Sequence, residues 1–189
     1  VKVCAADYVD VAPLKPGVLE CLWLESDDFE FVWDDLRYDK RASVVQFNYL
    51  KKLVIKNPNP SDTSALRNTD FNSGFEFPQL SILVLENVRM TPKLADNLMR
   101  APLRQLDFTG SPIDALLLCS RNTSSLEKLA LSIDCNKLDV PNDERAMPVR
   151  ALFSHLRSIP EIWCDIGLYI DHLDITDIDF SNFTHLDIR

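Results

Sequence analysis

One apolar phrase occurs three times at equal intervals in the middle of this chain. The phrase is Leu-x-x-Leu-x-apolar, and its copies begin at Leu80, Leu103 and Leu126, each 23 residues after the one before. Alternate side chains of a strand point to the same side, so the last two apolar positions of each copy should enter a common core. A strand that returns at a fixed interval predicts a solenoid of similar units, in which successive strands lie side by side and parallel.

The segments between these copies carry the signals of helices. Thr91-Pro92 and Ser111-Pro112 each place an N-capping side chain before a proline, which is tolerated in the first helical turn. The apolar residues that follow fall on one helical face, and they are Leu94, Leu98 and Met99 in the first segment and Ile113, Leu116, Leu117 and Leu118 in the second. Each unit is therefore predicted to consist of one strand and one helix.

Looser copies extend the pattern to both sides, so that repeats start near residues 19, 50, 80, 103, 126, 159, 170 and 183. Leucine-rich repeats have a period of about 20 to 29 residues, and this chain resembles them. The resemblance implies an α/β solenoid with a curved parallel sheet and with helices or irregular segments on its convex side. The variable spacing is more similar to the intracellular repeats found with F-box proteins than to the uniform repeats of extracellular receptors.

The pattern divides the chain into two parts. Residues 18–189 are expected to form the repeat domain, and residues 1–17 the end of a preceding repeat or a linker. Residues 59–77, rich in Ser, Asn, Thr and Asp, are expected to form a surface loop. The chain ends at Arg189 on a predicted strand without a polar capping helix, which indicates a fragment of a longer protein. Neighbouring strands are predicted, in this order, at 22–24, 53–55, 83–85, 106–108, 129–131 and 173–175.

Composition limits the classes of function. The 189 residues are 46% hydrophobic and 26% charged, which is typical of a soluble globular protein. The net charge is −9 and no run of Lys or Arg exceeds two, so the sequence argues against nucleic-acid binding and favours a basic protein partner. No apolar run is long enough to cross a membrane. Five cysteines without a C-x-x-C pair predict reduced, buried thiols and a cytoplasmic or nuclear location.

Sequence signals of catalysis and of cofactor binding are missing. There is no G-x-S-x-G or H-E-x-x-H motif, and with four glycines a phosphate-binding loop is not expected. Five acidic residues cluster near the C-terminus, at Asp171, Asp174, Asp177, Asp179 and Asp187. They lack the spacing and the turn glycine of an EF-hand, so a solvated face is the favoured interpretation. We therefore expect no enzymatic activity, no cofactor and no metal site.

One local stretch has two interpretations. Ile159-Pro160-Glu161-Ile162-Trp163 resembles the opening of an F-box, the helical module that docks on the adaptor of a ubiquitin ligase. The alternative is a degenerate copy of the repeat. The alternative is favoured because one residue is missing after Pro160, because F-boxes usually precede their repeats, and because the sequence after Asp171 predicts strands.

The residues between the core positions of each copy are expected to form the concave face of the sheet. Neighbouring strands lie about 4.8 Å apart, so Trp23, Val54, Ile82 and Val84 should form one exposed apolar patch. Its rim would carry charges. The full set of predicted partner-binding residues is Trp23, Lys52, Val54, Lys56, Ile82, Val84, Glu86, Asp107 and Asp174. An aromatic anchor in an apolar patch with a charged edge is typical of a protein-binding hot spot, although another part of the full-length protein could equally cover it.

The resemblance gives this surface a function. It implies a non-enzymatic module that grips another protein on its concave face, with substrate recognition in an F-box-type ubiquitin ligase as its setting. The partner would then be a substrate or an adaptor of that ligase. The alternative implied by the same fold is the repeat domain of a sensor or immune receptor.

Overall fold

The structure is a computed structural model that describes residues 2–5, 16–26, 45–58, 75–121, 123–135, 146–167 and 179–188. The described residues form ten strands: β1 (Lys2–Ala5), β2 (Cys21–Ser26), β3 (Val45–Gln46), β4 (Lys52–Lys56), β5 (Phe75–Glu76), β6 (Ile82–Glu86), β7 (Gln105–Gly110), β8 (Lys128–Asp134), β9 (Glu161–Gly167) and β10 (Phe183–Ile188). Eight of them make one sheet in the order β1-β2-β4-β6-β7-β8-β9-β10, and β3 pairs with β5 in a second, two-stranded sheet. All these pairings are parallel.

The register of the main sheet is the one that the repeated phrase predicts. Leu83, Leu106 and Leu129 are cross-strand partners, and the second core position aligns in the same way. The six predicted core residues of the three best copies, Leu83, Leu85, Leu106, Phe108, Leu129 and Leu131, are each at most 2% exposed. The looser copies upstream are also confirmed, because β2 pairs with β4 and β4 with β6 without a shift.

Three α-helices connect the strands of the described residues, α1 (Pro92–Leu98), α2 (Pro112–Cys119) and α3 (Ala146–His155), and short 3₁₀ turns lie at Pro16–Val18 and Leu156–Ser158. The predicted N-caps are confirmed. The hydroxyl of Thr91 accepts a hydrogen bond from the N–H of Leu94, and that of Ser111 accepts one from the N–H of Asp114, both at 3.2 Å. No described helix has both the length and the apolar character needed to cross a membrane.

The helices lie against one face of the sheet only. Leu94 and Leu98 of α1 and Ala115 and Leu118 of α2 are buried in the same cluster as the strand leucines. The strand residues that alternate with the leucines are mostly half-buried or exposed, as the alternating burial of β6, β7 and β8 shows. The sheet therefore has a covered face and an opposite face without a described helix, which we call the open face.

The stretch predicted as either an F-box or a degenerate repeat is a strand. β9 runs in parallel register with β8, from Glu161 opposite Lys128 to Gly167 opposite Asp134. Ile162, Cys164 and Ile166 are fully buried. The helical F-box interpretation of these residues is therefore wrong, and the stretch forms the next strand of the sheet, as the alternative interpretation predicts.

The predicted arrangement after β9 needs correction. The predicted strand at 173–175 lies outside the described residues, and the neighbour of β8 is β9 rather than that strand. β9 in turn pairs directly with β10, where the register shifts between Phe183 and His185 and places Leu186 opposite Cys164. A direct alignment of the two phrases would place Leu186 opposite Ile162 instead. Phe183 lies opposite Ile162 before the irregularity, so β10 as a whole is displaced along β9 relative to that alignment, and the irregularity changes the displacement by one residue.

The predicted surface loop at 59–77 ends earlier than expected. Phe77 is 4% exposed and stacks on Phe47, with the ring centroids 5.5 Å apart. Both phenylalanines stand three residues before a leucine that starts a copy, and the carbonyl of each accepts a hydrogen bond from that leucine's N–H. The stacking of Phe47 on Phe77 holds β3 against β5. The turns that follow these two residues fix where β4 and β6 begin.

Candidate interaction surface

The open face consists of three rows of side chains that run across the strands, because in-register parallel pairing places equivalent residues side by side. The first row contains Cys21, Lys52, Ile82, Gln105, Lys128 and Glu161. The middle row contains Trp23, Val54, Val84, Asp107, Ala130, Trp163 and His185. The last row contains Glu25, Lys56, Glu86, Thr109, Ser132, Asp165 and Asp187.

The predicted apolar patch occupies the first half of these rows but is less exposed than expected. Trp23, Ile82 and Val84 are half-buried, whereas Val54 is only 2% exposed. The prediction that Val54 is exposed is therefore wrong. Val54 lies between Trp23 and Val84 in the middle row, so the side chains on either side, a large indole among them, account for its burial on an otherwise open face.

The charged residues predicted as a rim contact the predicted anchor. The Nζ atom of Lys56 lies 5.5 Å from the centroid of the Trp23 ring, and the same ammonium pairs with the carboxylate of Glu86. Lys56 thus links β2 to β6 across β4 and packs over the indole. Lys52 is exposed in the first row. Lys56 therefore connects the apolar and the charged residues of this half, through its contacts with Trp23 and Glu86.

Asp107 is the acidic residue of the middle row and lies between the apolar residue Val84 and the small residue Ala130. Its two carboxylate oxygens accept hydrogen bonds from the Nε2 of Gln105, at 3.1 and 3.2 Å. Gln105 stands in the neighbouring row of the same strand, so its amide fixes the orientation of the carboxylate. Asp174, the other predicted acidic member of the surface, lies outside the described residues.

The most exposed aromatic pair of the open face lies at the other end of the middle row. The rings of Trp163 and His185 stack with their centroids 4.8 Å apart and their planes 9° apart. Trp163 is 41% exposed, and His185 is exposed as well. A tryptophan held flat against a second ring and left open to solvent is the kind of side chain that dominates the binding energy of protein interfaces.

The prediction from sequence did not include these two residues. Trp163 occupies the middle position of the copy that begins at Ile159, so the rule that selected Trp23 and Val54 would also have selected it. His185 had no such signal, because it is not the middle position of its copy and lies opposite Trp163 only through the register shift after Phe183. Asp187 lies opposite Asp165 in the last row instead.

Charged residues surround the aromatic pair unevenly. In the first row, the ammonium of Lys128 pairs with the carboxylate of Glu161, with its Nζ 2.9 and 3.0 Å from the two oxygens. In the last row, Asp165 and Asp187 are cross-strand partners of like charge. The paired residues of the first row carry no net charge, whereas the last row places two carboxylates on neighbouring strands at this end of the open face.

Comparisons with protein-family models, with curated proteins and with solved structures yield no match. The assignment of a role to this surface consequently rests on its geometry and its chemistry.

The cysteines contribute little chemistry to the described part of the molecule. Cys119, Cys135 and Cys164 are buried thiols, as predicted, but Cys21 is exposed in the first row, which is contrary to the prediction. Burial raises the pKa of the Cys119 and Cys164 thiols to about 12, so both are protonated and unreactive at neutral pH. Within the described ranges, no group of three His, Cys, Asp or Glu side chains is placed to hold a metal ion.

Proposed function

We propose that this chain is a solenoid of the leucine-rich-repeat type that acts as a non-enzymatic protein-binding module. The binding surface is the open face of the sheet, and the exposed stack of Trp163 on His185 is the observation that carries the proposal. A solenoid of this type is supported by a strand order that follows the chain and by helices confined to one face. Substrate recognition in an F-box-type ubiquitin ligase is the setting that the irregular repeat lengths favour.

The ordered rows of the open face support binding to a protein rather than to a small molecule. They extend across seven strands, from Trp23 to His185, and the strand spacing of about 4.8 Å makes this surface nearly 30 Å long. Its side chains alternate between apolar, charged and hydroxyl groups. A long mixed surface with one aromatic anchor fits a protein segment laid across the strands.

Photo-crosslinking in cells that express the protein tests this proposal. A benzophenone amino acid is placed at Thr109 or Ser132 on the open face, and at Lys93 or Arg150 on exposed helical positions as a comparison. We expect discrete protein adducts from the first two positions and none from the other two. Adducts that form only from the helical positions would overturn the proposal.

A substitution adds an independent measure to the crosslinking. Trp163→Ala removes the aromatic anchor, and the adduct yield at limiting partner should fall about tenfold or more. Tyr49→Ala is the matched control, because Tyr49 is 54% exposed but stands in the turn before β4, outside the three rows. Equal losses from the two variants would show that the aromatic pair has no specific role.

A further inference from the structure

The middle row has a notch next to Trp163. Asp107, Ala130 and Trp163 occupy this row on the adjacent strands β7, β8 and β9. Ala130 has only a methyl group, whereas both of its neighbours in the row have larger side chains. The small side chain therefore forms the floor of a gap whose two walls are a carboxylate and an indole.

The stack with His185 determines which face of the indole borders this notch. The two ring centroids are 4.8 Å apart, which is about the spacing of neighbouring strands, and the planes are nearly parallel. The rings are therefore stacked along the row. His185 covers one face of the Trp163 ring, and the opposite face is on the side of the row where Ala130 lies.

The dimensions of the notch match one kind of side chain. Its walls stand two strand spacings apart, or about 9.6 Å. A cation bound to an aromatic face lies within about 6 Å of the ring centroid, and a charge-assisted hydrogen bond to a carboxylate adds about 2.8 Å. A cationic group in the notch can therefore contact the indole and the Asp107 carboxylate at the same time.

The charges around the notch favour a cation over an apolar group. Asp107 forms one wall, and Asp165 lies beside Trp163 in the last row. The positive charge nearest in the first row, on Lys128, is compensated by Glu161 at 2.9 Å. The chain as a whole has a net charge of −9, which adds long-range attraction for a basic partner.

We propose that the notch over Ala130, between Trp163 and Asp107, binds an arginine side chain that a partner protein presents. Arginine is preferred to lysine because its planar guanidinium stacks on an indole and offers paired N–H donors to a carboxylate. The amide of Gln105 donates hydrogen bonds to both oxygens of the Asp107 carboxylate and fixes its orientation. Less side-chain conformational entropy of Asp107 is therefore lost on binding. This inference rests on the proposed function and adds the chemistry of the partner to it.

A titration of the whole chain with a short probe peptide, followed by NMR, tests the notch directly. The probe is a capped pentapeptide with arginine between two pairs of glycines, and the comparison peptide carries citrulline, which has the same shape without the charge. We expect the arginine peptide to shift the indole N–H signal of Trp163 and the amide signals of Asp107 and Ala130, with an affinity at least fivefold above that of the citrulline peptide. Equal binding of the two peptides, or shifts confined to other strands, would overturn the inference.

Substitutions separate the walls of the notch from its floor. Asp107→Asn keeps an acceptor for Gln105 but removes the charge, so binding of the arginine peptide should weaken about fivefold or more. Asp96→Asn removes the same charge from α1, where Asp96 pairs with Arg121 outside the three rows, and should leave binding unchanged. Ala130→Leu fills the notch and should abolish the shifts. Unchanged binding by the Ala130→Leu variant contradicts the proposed site.

The outcome for this inference is distinguishable from the outcome for the proposed function. If Thr109 and Ser132 still yield protein adducts while the arginine and citrulline peptides bind alike, the open face is a binding surface and only the arginine notch is wrong. If the arginine peptide binds as expected but only the helical positions yield adducts, the proposed function is wrong.

Discussion

At the scale of single residues, the carboxylate of Asp114 has opposing effects on stability. It joins two segments of the covered side, because one oxygen accepts the N–H of Met90 at 2.7 Å and the other accepts the hydroxyl of Ser111 at 2.6 Å. Burial raises the pKa of Asp114 above its usual value, although the two hydrogen bonds and the charge of Arg89 act in the opposite direction. The hydrogen bonds are favourable, whereas the buried charge is not.

Two substitutions of Asp114 separate these effects. Asp114→Ala leaves the buried N–H of Met90 without its acceptor and should lower the free energy of unfolding by about 1–3 kcal/mol. Asp114→Asn keeps an acceptor for Met90 and provides a donor for Ser111, so its loss at neutral pH should be smaller. Urea denaturation of both variants measures the difference. An equal loss in the two variants would mean that the hydrogen bonds do not account for the role of this residue.

The dependence on pH has a definite sign. Because the folded-state pKa of Asp114 is raised, the folded chain binds the proton more tightly than the unfolded chain does. The stabilisation that protonation brings is complete below the unfolded pKa and is lost as pH rises through the folded pKa. The stability of the wild type relative to Asp114→Asn should therefore increase as the pH is lowered from about 7 to about 4. A relative decrease over that range would contradict the assignment.

Individual residues also show how far the exposure of side chains on a sheet can be predicted from sequence alone. Alternation along a strand correctly separates Leu53 and Ile55 from the residues of the opposite face, because it depends on backbone geometry alone. Alternation does not predict that Val54 is buried on the open face, because the exposure of a side chain depends on the size and conformation of its neighbours on other strands. The stack of Trp163 on His185 depends on a register shift in β10 and is therefore invisible to the pattern.

At the scale of the elements, the correct predictions were those based on interactions between residues within one helical turn of each other. Ser or Thr followed by Pro predicted the starts of α1 and α2, because the capping hydrogen bond and the fixed proline φ act within one turn. The strands β3 and β5 have only two residues each and give no periodic signal. They depend on the contact between Phe47 and Phe77, which are 30 residues apart in the chain.

The end of β7 requires a residue without a side chain. A Cβ atom at Gly110 would lie 2.8 Å from the Cζ of Phe108, and that ring is packed in the core at 1% exposure. Gly110→Ala should therefore cost about 1–3 kcal/mol of unfolding free energy, because the ring has no free space into which to move. Chemical denaturation of the variant provides the measurement.

A second substitution tests whether this contact is the cause. Phe108→Leu removes the outer ring atoms, so Gly110→Ala should cost clearly less in that background, with a coupling of about 0.5–3 kcal/mol. Gly17→Ala serves as the control, since a Cβ atom there has no neighbour within 4 Å. Additive effects of the two core substitutions would show that the clash does not determine the loss.

At the scale of the whole molecule, the recurrence of the apolar phrase was sufficient to predict the strand order of the main sheet from β2 to β8. Successive strand units of a chain tend to lie beside one another, and the order holds both at the spacing of 23 residues and at the upstream spacings of 31 and 30 residues. The predicted order failed after residue 134, because the copy at 159 supplies the strand β9 beside β8.

A sheet in which each strand pairs only with the preceding and the following strand of that sheet should lose stability locally rather than all at once. The interior strand β7 contains Leu106, which is fully buried, whereas Leu186 of the terminal strand β10 is only half-buried and Ile188 is 37% exposed. Leu106→Ala should cost about 2–5 kcal/mol and lower the hydrogen-exchange protection of β6, β7 and β8 together. Leu186→Ala should lower protection in β9 and β10 alone.

Exchange followed by mass spectrometry resolves these strands, and Ser132→Ala on the open face controls for substitutions that leave the core intact. If Leu186→Ala instead reduced protection in β4 and β6 as much as in β9, the sheet would unfold as one unit, and the nearest-neighbour behaviour expected of the proposed solenoid would be wrong.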